Sequence, residues 1–181
     1  MFMKMQNSSF VAGMLAAILL FSIVTGAGAK SVNQAQDGLP KPPAPKRISA
    51  AELKNLRWIE GTWRGTGDVE SPFFERYHFE NDGTLVVESF SDGTLSKVDD
   101  VTRFELKDGQ FGNSGEGARW VATQFDNSSI TFEPVARARN TFRWQKVSDD
   151  VWKAVLNWPA NGNNPAKQKI YRMERWPTPK Q

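Results

Sequence analysis

Residues typical of tight turns recur at intervals of about ten residues through most of this chain, and no helix-length segment separates them. The turns are Asn81-Asp82-Gly83, Ser91-Asp92-Gly93, Lys107-Asp108-Gly109, Asp126-Asn127-Ser128, Ser148-Asp149-Asp150 and a longer polar loop over 159–165. Asp-Gly between strand-like segments indicates a hairpin, because glycine accepts a positive φ without a Cβ clash. Strands at this spacing predict one all-β domain with an antiparallel meander, either a barrel or a sandwich.

The segments between the turns predict ten strands, at 58–69, 73–80, 84–90, 95–106, 110–112, 117–125, 129–135, 139–147, 151–158 and 167–176. Their up-and-down order favours a closed barrel, since closure removes the exposed sheet edges that promote aggregation. Ahead of the first strand, Ser49 and Glu52 have the spacing of a capping box, which predicts a short helix. A two-turn helix is unstable alone, so we expect it to dock and close one end of the barrel.

The first 47 residues have a different composition from the rest of the chain. Lys4 precedes the apolar segment 11–24, and Ala27-Gly28-Ala29 offers small residues for a signal peptidase, which predicts a signal peptide over 1–29. An apolar run of about 14 residues falls short of the roughly 20 that a spanning helix needs, although an uncleaved anchor is the alternative. Residues 30–47 are rich in proline and polar residues and predict a linker, which leaves 48–177 for the barrel domain.

Cysteine and charge content limit the classes of protein to which the chain can belong. The chain has no cysteine, which excludes disulfides, thiolate metal ligands and thiol nucleophiles. An exported protein without disulfides fits a periplasmic or secreted bacterial location. Removing residues 1–29 takes away Lys4 alone among charged residues, so the formal charge falls from +3 to +2. No basic cluster exceeds Lys46-Arg47, so nucleic-acid binding is not expected, and the oligomeric state stays open.

Alternation along the strands places aromatic rings on common faces with a few polar side chains. The predicted inward sets are Phe73/Glu75/Tyr77/Phe79, Val98/Asp100/Thr102/Phe104/Leu106, Phe142/Trp144 and Trp152/Ala154/Leu156/Trp158. An apolar interior with sparse polar groups is typical of a small-molecule site, and a packed core without a cavity is the alternative. The predicted ligand-binding residues are Glu75, Tyr77, Asp100, Phe104, Trp144 and Trp158. A salt bridge from the two carboxylates to Arg143, Arg172 or Arg175 is the structural alternative, because unpaired buried charge is costly.

Residues suited to catalysis are few. The single histidine, His78, excludes a multi-histidine metal site and a histidine-based serine triad, and alternation turns it outward. No phosphate loop or dinucleotide motif is present, and we expect no metal site. Glu75 and Asp100 are the remaining candidates for a general acid–base pair, provided that their strands face each other across the barrel.

Three short patterns carry a resemblance to known barrels. They are Leu56-x-Trp58-Ile59-x-Gly61-x-Trp63 at the helix–strand junction, Asp100-x-x-Arg103-Phe104-Glu105 before an Asp-Gly turn, and Phe132-Glu133 before the next hairpin. Over about residues 53–176 the chain resembles the calycin-like barrels, which include lipocalins, fatty-acid-binding proteins and nitrobindins. It is most similar to an uncharacterised family of small exported bacterial lipocalin-like proteins.

The resemblance implies that Gly61 and Trp63 mark the closed end, with Trp63 as a plug under a last-strand arginine. That arginine is Arg175, or Arg172 if the register shifts, and it would stack on the indole as a cation–π pair. Nitrobindins hold haem through a late-strand histidine, and residues 167–171 contain none, so no haem or other cofactor is expected. Three functions stay open: a barrel that binds a small apolar or amphipathic molecule, a small-substrate enzyme, and an envelope interaction module with a solid core.

Overall fold

The structure is a computed structural model that describes residues 43–68, 70–113 and 117–177. The predicted signal peptide and residues 30–42 of the predicted linker lie outside the described residues. The described end of that linker contacts the barrel, since the Lys46 amide donates to the Ala122 carbonyl at 2.8 Å. Across the described ranges, no helix combines the length and apolarity needed to cross a bilayer.

A short helical segment precedes the barrel, as the capping box predicts. Helix α1 (Ala50–Leu53) continues into a 3₁₀ helix (Lys54–Ile59). The Ser49 amide donates to Glu52 Oε2 at 2.8 Å, and the Glu52 amide donates to Ser49 Oγ at 3.1 Å. Both bonds satisfy amides that would otherwise lack acceptors at a helix start. Leu53, Leu56 and Ile59 are fully buried, so this segment closes one end of the barrel.

Ten antiparallel strands in up-and-down order form a closed barrel, which confirms the predicted fold class. The strands are β1 (Gly61–Thr66), β2 (Phe73–Asn81), β3 (Thr84–Phe90), β4 (Val98–Lys107), β5 (Gln110–Asn113), β6 (Arg119–Phe125), β7 (Ser129–Ala136), β8 (Thr141–Lys146), β9 (Val151–Trp158) and β10 (Lys167–Arg175). Each strand pairs with the next one in sequence, and β10 pairs with β1. We call the end where β1 ends and β2 begins the far end, because the helix covers the opposite one.

Aromatic rings fill the barrel interior. Trp144 lies among Phe104 and Phe132, each with a ring centroid 5.1 Å from the indole, and Tyr77 at 5.7 Å. Phe132 stacks on Phe142 at 4.6 Å. All five side chains are at most 2% exposed. The deep interior is therefore a packed aromatic core, which is the alternative that the sequence left open.

The junction with the helix differs from the sequence prediction. Residues 58–60 belong to the helical segment and its end, so β1 begins at Gly61. Trp63 is 1% exposed, and its Nε1 donates to the Ile59 carbonyl at 2.7 Å. The Arg175 guanidinium carbon lies 4.1 Å above the Trp63 ring, whereas Arg172 pairs with Glu174 at 2.9 Å. The closed end thus combines an aromatic plug with a cation stacked on it.

A bulge in β4 changes one predicted face. Ser89 pairs with Asp100 whereas Phe90 pairs with Val98, which leaves Asp99 as the extra residue. Because a bulge resets the alternation of side chains, Val98 shares the outward face of Phe90 and not the inward face of Asp100. The prediction that Val98 and Asp100 point the same way is therefore wrong.

Candidate functional site

A row of inward-facing polar side chains crosses three neighbouring strands near the far end. Glu75 on β2 is the cross-strand partner of Ser89 on β3, and Ser89 is the partner of Asp100 on β4. Directly paired residues of antiparallel strands project from the same face of the sheet. Glu75 is 0% exposed, Ser89 is 4% exposed, and Asp100 is exposed. This polar row leads from the core to solvent.

Glu75, at the inner end of the polar row, accepts a hydrogen bond from Tyr77. The Tyr77 hydroxyl donates to Glu75 Oε2 at 2.7 Å, and Ser89 Oγ lies 3.5 Å from Glu75 Oε1. Burial raises the pKa of Tyr77 well above its usual value, and the charge and hydrogen bond of Glu75 raise that pKa further. Tyr77 is therefore a neutral donor at physiological pH.

Tyr77 also connects the polar row with the indoles of the core. Its ring meets Trp144 and Trp152 edge to face, at centroid distances of 5.7 Å and 5.4 Å. The indole Nε1 atoms of Trp144 and Trp152 are buried without a hydrogen-bond partner among the described residues. A change in hydrogen bonding at Glu75 should therefore alter the environment of two tryptophans.

Asp100 is not enclosed by the barrel, which corrects the prediction of a buried carboxylate there. β5 pairs with Phe104–Lys107 of β4, and the described partner of β4 above that point is β3 alone. Thr102, two residues further along the same face of β4, is partly exposed, so this part of the strand is accessible to water.

The six predicted ligand-binding residues do not line one space. Phe104 and Trp144 have no exposed surface and form part of the packed core, close to Glu75 and Tyr77. Trp158 lies at the last residue of β9, is partly exposed, and shares a rim of the barrel with Lys167. Sequence reasoning missed Ser89, although alternation over Leu85, Val87 and Ser89 could have placed it inward.

The proposed acid–base pair is separated by a strand. Glu75 and Asp100 lie on β2 and β4 with Ser89 between them, so their backbones are roughly 10 Å apart. Only a substrate bound across Ser89 would bring both carboxylates to one reacting group. His78, the cross-strand partner of Val86, is partly exposed and projects from the outward face, so the sheet separates it from the polar row. The described ranges contain no group of three potential metal ligands from His, Cys, Asp and Glu.

A surface depression, which we call the Trp158 groove, lies where β7 separates from β8. The β7–β8 ladder ends at Phe132 and Phe142, whereas β9 and β10 continue to Trp158 and Lys167. The groove has a volume of about 510 Å³. Its lining includes Glu133, Pro134, Arg139, Trp158, Pro159 and Lys167. Burial raises the pKa of the Glu133 carboxyl above its usual value.

Replacing Glu133 with glutamine should raise stability at neutral pH and leave it unchanged in acid. The folded-state pKa of Glu133 is raised, so the folded chain holds a proton that the unfolded chain releases first. Stability therefore falls as pH rises from the unfolded to the folded pKa, and Glu133→Gln removes that fall. Because the side chain is largely solvated, we expect a gain below about 1 kcal/mol. Urea unfolding from pH 4 to pH 8 checks this, and a gain independent of pH would contradict it.

No known protein-family profile matches the sequence, and no curated protein matches it. Solved structures do match. One is a protein of unknown function from the DUF3598 family of Nostoc punctiforme PCC 73102, with a TM-score of 0.44 and 10% identity. The match covers 77% of this chain and 53% of that one, so the chain spans about half the length of this neighbour.

Two further solved structures match the chain. One is EF1p2_mFAP2b bound to DFHBI, with a TM-score of 0.36, 10% identity, and coverage of 68% of this chain and 98% of that one. The other is a redesigned β-barrel, with a TM-score of 0.30, 12% identity, and coverage of 72% and 97%. The fold assignment of this chain therefore rests on the strand pairing described above.

Proposed function

We propose that this protein is an exported, calycin-like barrel that binds a small amphipathic molecule at its far end. The polar group of the ligand binds the polar row, where Asp100 and Ser89 accept hydrogen bonds and Glu75 lies beneath them. The proposal keeps Glu75, Tyr77 and Asp100 in the roles that the sequence suggested. It moves the ligand from the deep interior to the exposed end of the polar row at Asp100, because Phe104 and Trp144 are packed.

The observation that carries this proposal is the polar row itself. A buried carboxylate is costly in an aromatic core, and a purely structural carboxylate has no need of a polar path to water. Here the next residues along the row are Ser89 and then Asp100, which is exposed. Acceptors that converge at the mouth of an apolar interior are typical of small-molecule sites.

Export is part of the proposal and is supported by the sequence. Residues 1–29 have the basic start, apolar segment and small residues of a signal peptide, and the chain has no cysteine. We propose that residues 30–47 then connect the processed end to a barrel domain over 48–177, in a bacterial periplasm or secreted. Sequencing the amino terminus of protein purified from the host would locate the cleavage.

We expect a long-chain alcohol or alkylamine to quench tryptophan fluorescence, because Tyr77 links Glu75 to Trp144 and Trp152. Donor-bearing probes should bind more tightly than a fatty acid of equal length, since the row presents carboxylates. Asp100→Asn and Glu75→Gln should each raise the Kd by about tenfold, which corresponds to about 1.4 kcal/mol. Fluorescence titration measures the Kd, and native mass spectrometry of protein from its own host detects a retained molecule.

Glu105→Gln is the matched control for this experiment. Glu105 lies on β4 as Asp100 does, but it follows inward-facing Phe104 and so projects from the other face. Its replacement should leave the Kd unchanged. An equal effect of Glu105→Gln and Asp100→Asn would remove the polar row from the proposal.

The second candidate is an interaction module with a solid core, and the ring packing around Trp144 favours it. Phe104, Phe132 and Trp144 fill the deep interior, so no ligand is needed to fill it. The two candidates differ in one measurement. If alcohols, amines, fatty acids, retinoids and haem all leave the fluorescence unchanged, and the native mass equals that of the chain alone, the module is favoured.

A further inference from the structure

Three aromatic rings in contact connect the surface of the protein with the buried Glu75 carboxylate. Trp58 belongs to the helical segment and is partly exposed, and its ring centroid lies 6.3 Å from that of Trp152. The Trp152 ring lies 5.4 Å from that of Tyr77, and the Tyr77 hydroxyl donates to Glu75 Oε2 at 2.7 Å. We call Trp58, Trp152 and Tyr77 the aromatic relay.

The aromatic relay consists of side chains that give up a single electron readily. The chain has no cysteine, so its indole and phenol rings are its best one-electron donors. Trp152 is 0% exposed and Tyr77 is 1% exposed, which keeps an oxidant in solution away from both rings. Trp58 has exposed surface that such an oxidant can reach. An electron taken from Trp58 can then be replaced from Tyr77, by way of Trp152.

Tyr77 has a proton acceptor in place, which its oxidation requires. A phenol that loses an electron becomes a strong acid and releases its hydroxyl proton. A general base must lie within about 2.6–3.2 Å of the atom whose proton it takes. Glu75 Oε2 meets that condition, and the raised pKa of Tyr77 keeps the hydroxyl protonated until the electron leaves. Electron and proton therefore leave Tyr77 in different directions, toward Trp152 and Glu75.

The other tyrosine of the chain, Tyr171, has neighbours of a different kind. Its ring contacts Phe73 at a centroid distance of 5.2 Å, and its side chain hydrogen-bonds Lys169. Phenylalanine is a poor electron donor, and an ammonium group has no lone pair with which to accept a proton. Tyr171 is therefore a reference for Tyr77 within the same protein.

We propose that the aromatic relay gives this protein a one-electron reducing activity toward radical oxidants such as peroxyl radicals. The peroxyl radical takes an electron from Trp58 and a proton from water, and leaves as a hydroperoxide. Trp58 regains an electron from Trp152, and Trp152 regains one from Tyr77, whose proton passes to Glu75. An external one-electron reductant, such as an enediol, then reduces the Tyr77 phenoxyl radical, and Glu75 returns the proton. This activity requires no ligand at the polar row.

Flash photolysis of the full chain tests the relay, with a photogenerated ruthenium(III) complex as the oxidant. Electron paramagnetic resonance should detect a tyrosyl radical that Tyr77→Phe abolishes. Glu75→Gln should slow its formation by about 100-fold, because the positioned proton acceptor is lost, and the radical should stay on tryptophan. Trp152→Phe keeps a ring at the same place but should also slow formation of the tyrosyl radical. Circular dichroism confirms that each variant folds.

Tyr171→Phe is the matched control, and it should leave the yield and rate of the tyrosyl radical unchanged. The proposal is overturned if the tyrosyl signal survives Tyr77→Phe and disappears in Tyr171→Phe, or if Glu75→Gln leaves its rate unchanged.

Exposure to peroxyl radicals from an azo initiator, in the presence of ascorbate, tests the activity itself. Without Tyr77 the oxidation stays on the indoles, so mass spectrometry should find more oxidised Trp58 in Tyr77→Phe than in the unchanged chain or in Tyr171→Phe. Equal oxidation of Trp58 in all three proteins would also overturn the proposal.

Discussion

Replacing Trp152 with alanine should lower the free energy of unfolding by about 3–5 kcal/mol, the largest single effect that we expect in this protein. Trp152 is 0% exposed and lies between the helical segment and the core. Its ring contacts Trp58 at 6.3 Å, Trp63 at 6.0 Å, Tyr77 at 5.4 Å and Trp144 at 6.1 Å. Removing the indole leaves a cavity that four rigid neighbouring rings cannot fill. Urea unfolding followed by far-ultraviolet circular dichroism measures the loss.

Trp158→Ala is the matched control for this variant, since it removes the same side chain from the same strand and the same face. Trp158 is partly exposed at the end of β9, so its loss should cost less than about 1 kcal/mol. The midpoint for Trp152→Ala should fall without a change in the denaturant slope. Equal losses for the two variants would contradict the view that the helix-side half of the barrel depends on Trp152.

Replacing Gly61 with alanine should cost about 2–4 kcal/mol, because strain and a lost cation–π contact add together. Gly61 has a φ of 126°, a conformation that side-chain-bearing residues rarely adopt. A Cβ built there would clash with Arg175 Nη1. That nitrogen donates to the Glu60 carbonyl at 3.0 Å, and its guanidinium lies over Trp63. The substitution therefore strains the backbone and displaces the cation from the plug.

Gly117→Ala provides the comparison for Gly61→Ala. A Cβ at Gly117 would meet nothing within 4 Å, so this change should alter stability by less than about 0.5 kcal/mol. Thermal unfolding of both variants, together with Arg175→Met, separates strain from the lost stacking. If Gly61→Ala costs no more than Arg175→Met, backbone strain makes no contribution and the reasoning from φ is wrong.

We expect the two ends of the barrel to differ in role, one in stability and the other in binding. The helix-side half holds Trp63, Trp152 and the stacked Arg175, and its substitutions should act on stability. The polar row begins at Glu75, the cross-strand partner of Trp63, and leads to Asp100 near the far end, where replacement should act on binding. If the same substitutions changed both the free energy of unfolding and the ligand affinity, this division would be contradicted.

Local chemistry makes the architecture predictable from the sequence. The Asp-Gly turns, the Ser49 capping box and the alternation of aromatic residues act between near neighbours in the chain. They are sufficient to predict ten antiparallel strands, a closing helix and the inward direction of Glu75, Tyr77 and Trp144. The inward side of Asp100 is also predictable, because it follows from alternation back from Phe104.

Burial, neighbours across the sheet and the state of the interior depend on the tertiary structure. The bulge at Asp99 is a property of strand pairing, and it turns Val98 outward. The exposure of Asp100 is likewise visible only in the folded chain. Cross-strand pairing brings Glu75 next to Ser89, although the two are distant in sequence. Glu133 and Trp158 are also distant in sequence, and they line the same groove. Whether the aromatic interior is hollow or packed depends on ring positions from nine strands at once. Alternation assigns each side chain a direction, but the space that it occupies is set by every other ring, and this is why the sequence determined the barrel whereas the tertiary structure determined where a ligand has room.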